Sequence, residues 1–229
     1  MLTPADRRPR ARGLSTMETL AGMGLTLILL AAVYTFQGAQ LKVLRAQNVY
    51  ADSQNVTRTV IDVMSRELRM ATYDPTPPPA GTIPSSPTVV GAICPNVKRG
   101  IIQATPTSIR FQQNLNGDGA IAGAGEDVTY SYADGQITRT DGANAPVTLV
   151  SNVPSNGFSL LYFSGNNPPV QLVPAGSPAS LTQGQRDCVV SVRITIQANI
   201  PNPNPNVSTP IKSVAESEVA IRNRAVLNL

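Results

Sequence analysis

The sequence has no histidine and no tryptophan, and its 229 residues include only two cysteines, Cys94 and Cys188. Without imidazole the chain cannot build a Ser-His-Asp triad or a thiol–imidazole pair, and two thiols are too few for a zinc cluster. Charged residues make up only 14% and aromatic residues only 4% of the chain. Enzyme readings therefore start weak, and we expect no catalytic residues. What the chain does have is 20 prolines and 17 glycines, a content that predicts loops and short strands. Its length suits one or two domains with one modest core.

The formal net charge is +4, with a pI near 9.3, and its distribution decides its meaning. Arg7, Arg8, Arg10 and Arg12 stand against Asp6 in the first thirteen residues, whereas the rest carries 14 Lys+Arg and 13 Asp+Glu. Such a near-neutral remainder holds no basic patch that argues for nucleic acid. From Gly13 to Leu41 the only charged side chain is Glu18, and Leu20 to Phe36 is almost wholly apolar. Seventeen residues of helix span roughly 25 Å, enough to approach the width of a bilayer core. Arginines on the N-terminal side predict that the leader stays cytoplasmic and that everything after Phe36 lies outside.

A secretory signal peptide would need a small-x-small cleavage site after a shorter apolar stretch. The Arg7-Arg8 pair suits a twin-arginine signal, but the same cleavage site is missing. A plain anchor has no use for a carboxylate inside its apolar segment, because an unpaired charge in hydrocarbon costs a few kcal/mol at least. Glu18 calls for a partner.

Arg12-Gly13-Leu14-Ser15-Thr16-Met17-Glu18 resembles the class III leader of type IV prepilins and pseudopilins: a basic leader, Gly before the scissile bond, an apolar first mature residue, and Glu five residues beyond the Gly. The resemblance implies that a prepilin peptidase cuts after Gly13 on the cytoplasmic face and methylates the new N-terminus at Leu14. Glu18 of one subunit would then pair with the Leu14 amine of a neighbour in a filament, so that two lone charges in lipid become one satisfied pair.

Beyond the apolar segment Leu41, Leu44, Val49, Val56, Val60, Val63, Met64 and Leu68 recur at near-helical spacing among charged residues that include Lys42, Asp62 and Glu67. One helix from Leu14 to Ala71 would reach roughly 87 Å; the alternative is a membrane helix followed by a coiled-coil linker. Arg66 to Pro75 resembles the stretch that closes the N-terminal helix in the PilW family of minor pilins, and Pro75 stops the helix. Thr35 stands where many major pilins carry a helix-breaking Pro, in keeping with a minor subunit. The expected organisation is a leader over 1–13, a long helix over 14–72 with its membrane-spanning part at about 20–36, a Pro-rich connection over 73–100, and a β-rich head over 101–229.

In the head, strands are expected at Ile101-Ile102 and Ile109 to Gln112. Val128, Tyr130 and Tyr132 alternate with polar residues, turn at Asp134-Gly135 and return through Ile137 and Thr138 as a hairpin. Phe158 to Phe163 is a continuous apolar run, Cys188 to Ile196 is read as one strand with Cys188 on its apolar face, and Ala215 to Ile221 forms the last strand. The fold class is α+β: a long helix packed on a mostly antiparallel sheet, which the resemblance makes pilin-like.

Asn114, Asn116, Asp118 and Gly119 stand at the spacing of the first half of a calcium loop, with Glu126 downstream. Two readings stay open, a calcium site on Asn114, Asn116, Asp118 and Glu126, or a turn between strands. Otherwise no cofactor is expected. An outward-facing head folds in an oxidising compartment, which predicts a Cys94–Cys188 disulfide worth up to about 4 to 5 kcal/mol on loop-closure grounds; two buried thiols are the alternative.

The resemblance implies a minor pilin, an inner-membrane precursor that helps prime assembly of a type IV pilus and sits at or near its tip. Its partners would be other minor pilins, the major pilin, the prepilin peptidase, the inner-membrane assembly platform and a large tip adhesin. A J-type pseudopilin of a type II secretion system shares leader, helix and sheet. A membrane-anchored periplasmic binding module is the third reading, against which Gly13 and Glu18 both count.

Overall fold

A computed structural model of the chain describes residues 15–73, 100–166, 168–202 and 207–222. The leader, Gly13, Leu14, Cys94 and almost all of the Pro-rich connection lie outside the described residues. The chain divides into two compact units, Met1–Gln47 and Asn48–Leu229. The first helix, α1 (Thr16–Met70), begins in one and ends in the other.

In the first unit every described residue but the half-buried Ala46 is exposed, including Leu20, Leu25, Leu27, Ile28 and Phe36. Two of its hydroxyls bond within the helix. Thr26 Oγ1 donates to the Gly22 carbonyl at 2.8 Å and Thr35 Oγ1 to the Ala32 carbonyl at 2.8 Å, which satisfies each inside the helix. The absence of proline from this stretch keeps its backbone ladder unbroken.

In the second unit α1 buries Ser53, Thr57, Val60, Ile61, Met64, Ser65 and Leu68, the three-and-four spacing that puts one face into a core. Residues 101–150 form a five-stranded antiparallel meander: β1 (Ile101–Ala104), β2 (Ser108–Gln112), β3 (Asp127–Ala133), β4 (Gln136–Asp141) and β5 (Val147–Val150), lying side by side in chain order. The second sheet holds β6 (Phe158–Phe163), β7 (Gln171–Leu172), β8 (Ser191–Ile200) and β9 (Ile211–Ala220) in the order β7-β6-β8-β9. The fold is α+β with antiparallel sheets. Where the sequence led us to expect one sheet there are two, because alternation marks a strand without naming its neighbour.

Both sheets alternate in register with burial. Phe111, Val128 and Tyr130 from the first sheet, and Phe158, Leu160, Tyr162, Val192, Ile194 and Ile196 from the second, join Met64 and Leu68 in one core. The Asp134-Gly135 turn has φ of 51° and 74°, the paired positive values of a two-residue hairpin whose twist matches its strands. Tyr162 stitches the sheets together: its buried hydroxyl donates to the Thr105 carbonyl at 2.7 Å, in the connection between β1 and β2.

One strand boundary differs from expectation. Cys188 is the C-cap of a short helix, α2 (Gln183–Asp187), and β8 starts only at Ser191. Thr182 caps α2 reciprocally with Gln185, a T-x-x-Q pattern that starts a helix, and Cys188 closes that helix ahead of the strand. Cys188 is nonetheless buried, and it is disulfide-bonded.

Candidate functional site

Glu18 lies in the first turn of α1. Ser15 opens that turn: its carbonyl accepts from the Glu18 and Thr19 amides at 2.9 and 3.1 Å, and its Oγ accepts from the Met17 amide at 3.3 Å. A carboxylate in this turn faces the positive end of the helix dipole. The Glu18 side chain is exposed and makes no hydrogen bond or ion pair among the described residues. It is the only charged group on an apolar helical surface that runs to Leu41. Among the described residues one helix is long and apolar enough to cross a membrane; its most apolar 18-residue window has a mean hydropathy of 1.9 and is 0% buried. Gly13 and Leu14, the processing residues expected beside Glu18, lie outside the described residues.

The second expected site is the connection between β2 and β3, where Asn114, Asn116, Asp118 and Glu126 do come together in one loop. Their oxygens converge on backbone amides. Glu126 is buried, and its Oε1 accepts from the Leu115 and Asn116 amides at 2.9 and 3.2 Å while its Oε2 accepts from Ala122 and Gly123 at 3.2 and 2.6 Å. The Gly123 amide above all, with those of Asn116, Leu115 and Ala122, holds the Glu126 carboxyl below the usual carboxylate range, against the opposing effect of burial. Asn114 Oδ1 accepts from the Gly117 amide at 2.8 Å, Asn116 Oδ1 from Asp118 at 3.0 Å, and Asp118 Oδ1 from Ala120 at 2.8 Å. The last two are Asx turns.

A calcium loop aims several carboxylates at a cation. Here one carboxylate is encircled by donors and occupies the centre itself. As arranged, each of the four side chains has an oxygen engaged by a backbone amide, the pattern of an interlocked polar turn. Among the described residues no three His, Cys, Asp or Glu side chains are grouped to hold a metal ion. Gly123 belongs to this design, since a Cβ there would sit 2.7 Å from the Glu126 carboxyl carbon.

A third polar cluster was not anticipated. Glu67, read with the charged residues of the helix surface, instead turns toward the first sheet. It accepts from the buried Tyr130 hydroxyl and pairs with Arg139 at 2.9 Å, while Arg139 also reaches Asp141 at 3.5 Å. Burial, reinforced by Glu67, raises the Tyr130 hydroxyl far above its ordinary range, so it remains a donor. A signal was present: Tyr130 belongs to the inward-facing set of its strand, and a buried tyrosine hydroxyl needs an acceptor. The cluster fixes the helix against the sheet and leaves no reactive group exposed. On the other face of the same sheet, Arg110 grips Asp127 with two bonds of 2.8 and 2.6 Å, which holds the Asp127 carboxyl low.

Neither a protein family, nor a curated protein, nor a solved structure matches this chain. The reading of its function rests on its own residues.

Proposed function

We propose that this chain is a minor pilin, an inner-membrane precursor that is cut after Gly13, inserted with its leader cytoplasmic and its head outside, and then built into the tip region of a type IV pilus. The observation that carries the reading is the first part of α1, a wholly exposed apolar helical surface interrupted by one unpartnered carboxylate, Glu18. A helix that only anchors gains nothing from that group, and its burial in hydrocarbon costs a few kcal/mol. A helix that packs among copies of the same design recovers it, because the Leu14 ammonium freed by cleavage offers a counter-charge to the Glu18 of a neighbour.

Function on this reading is packing and not catalysis. The apolar surface supplies association with the helices of other minor pilins and the major pilin, the Glu18 pair sets the axial register, and the head presents the surface on which a tip adhesin would stand. The prepilin peptidase and the assembly platform act on the chain before it leaves the membrane.

Two substitutions test this. Gly13→Val is expected to leave an uncut precursor, visible as a heavier band on a blot of envelope membranes. Glu18→Ala is expected to be cut and inserted normally but to fall roughly tenfold or more in sheared filaments, the effect of stranding a buried charge. Normal incorporation of Glu18→Ala would refute the charge-pair mechanism, and a fully processed Gly13→Val would refute the leader assignment.

A further inference from the structure

Six arginines of the head divide by what they hold. Arg110, Arg139 and Arg193 each hold a carboxylate, at 2.6, 2.9 and 3.0 Å. Arg66, Arg69 and Arg222 hold none among the described residues, and they line one recess of about 400 Å³ together with Asp62, Ser65 and Met70. Asp62 is the only acidic side chain in that lining, so the recess carries a net charge of about +2 by Coulombic count. Elsewhere the described head has more acidic than basic residues.

The position of Arg69 in the last turn of α1 is explained by the helix dipole alone. Two other features are not. Arg66 and Arg69 lie three residues apart on one helical face, a like-charge spacing that costs a few tenths of a kcal/mol on an isolated helix; Arg222, arriving after β9 from the other sheet, adds a third positive charge to the same recess. In addition, Ser65, which lines the recess, is 8% exposed and its buried Oγ has no hydrogen-bond partner. A buried hydroxyl without a partner is a donor awaiting an acceptor.

We propose that this recess is an oxyanion site that takes a phosphate group, either free phosphate or a phosphate ester such as a lipid headgroup. Guanidinium forks suit tetrahedral oxyanions because each presents two parallel N–H donors, and the Ser65 hydroxyl adds a neutral donor from the wall. Such a ligand offsets the net positive charge and relieves the repulsion between Arg66 and Arg69. The site does not depend on the pilin reading, and no part of it involves Glu18 or the leader.

The test uses the full chain, labelled with nitrogen-15 arginine and held in phosphatidylcholine nanodiscs, with the Nε–H signals followed by NMR. On titration with inorganic phosphate at fixed ionic strength, the Arg66, Arg69 and Arg222 signals are expected to move along one saturating curve while Arg58 stays still. Arg222→Ala should weaken that curve roughly tenfold, as loss of a charge-assisted hydrogen bond does, and Ser65→Ala should weaken it less while leaving the arginine charges in place. Exchange into phosphatidylglycerol nanodiscs separates the sources: movement with no phosphate added identifies the headgroup, and movement only on adding phosphate identifies the free anion. If neither arm moves the three signals together, or if all exposed arginines drift equally without saturation, the recess is an ordinary solvated surface and the proposal fails.

Discussion

The two ends of α1 are one helix with opposite relations to their surroundings. Between Thr16 and Gln47 its large side chains are exposed, and a Cβ added at Gly22, Gly24 or Gly38 would meet nothing within 4 Å. Toward Met70 the same helix is closed in by the head: Met64 and Leu68 are 0% exposed. At Gly157 of the head, by contrast, a Cβ would lie 2.6 Å from the Gln197 carbonyl oxygen. One region has its contacts within the chain, and the other presents surface that must be covered from outside. Substitution therefore reads out folding at one end and association at the other.

The sharpest way to test that contrast is a matched pair of truncations. Met64→Ala is expected to destabilise the head by about 2–5 kcal/mol, the range for a buried large-to-small change, whereas Leu27→Ala should leave the melting temperature of the head unchanged. Equal loss in both would break the comparison. Next in size is Glu67→Gln, which keeps shape but removes the charge shared by Tyr130 and Arg139. Partial exposure moderates the effect to about 1–2 kcal/mol, read as a shift in denaturation midpoint.

Acid should act on the head through Glu126 and Asp127. Both carboxyls are held low in the folded state, by the Gly123 amide first in one case and by Arg110 first in the other. Below the ordinary carboxylate range, near pH 4, the unfolded chain therefore binds more protons than the folded one. Stability from these groups is full above that range and is lost as pH falls through it, and Glu126→Gln should flatten the decline in melting temperature between about pH 5 and 2. The smallest expected effect is that of calcium. Because Glu126 already fills the centre of its loop, millimolar calcium should leave the melting temperature where it was, and a rise of several degrees would reopen the site.

How far the sequence was legible follows the same division. Strongly patterned elements could be read nearly to the residue: the hairpin around Asp134-Gly135, the run Phe158 to Phe163 and the long helix. Val147–Val150 was missed because only Val150 is buried, so it has no period to detect, and Gln171–Leu172 is too short to have one. The Thr182…Gln185 capping box was readable in principle but stood next to an alternation that drew attention past it. In the loop, Asn114, Asn116, Asp118 and Glu126 share one connection, yet the same spacing serves a cation or a set of amides. Only the direction in which Glu126 points distinguishes them, and that is a property of the folded backbone.

The order of the strands bears on how the head forms in time. In the first sheet each strand pairs with its neighbour in sequence, so every closure is local and entropically cheap. The second sheet must bring Phe158–Phe163 against Ser191–Ile200 across an intervening strand and helix. The meander is therefore the natural early structure, and pulse-labelling hydrogen exchange should protect Val128 to Asp141 before Val192 to Ile196. A head that assembles from its N-terminal sheet closes in the direction in which the chain emerges from synthesis, with the last strand, β9, completing it.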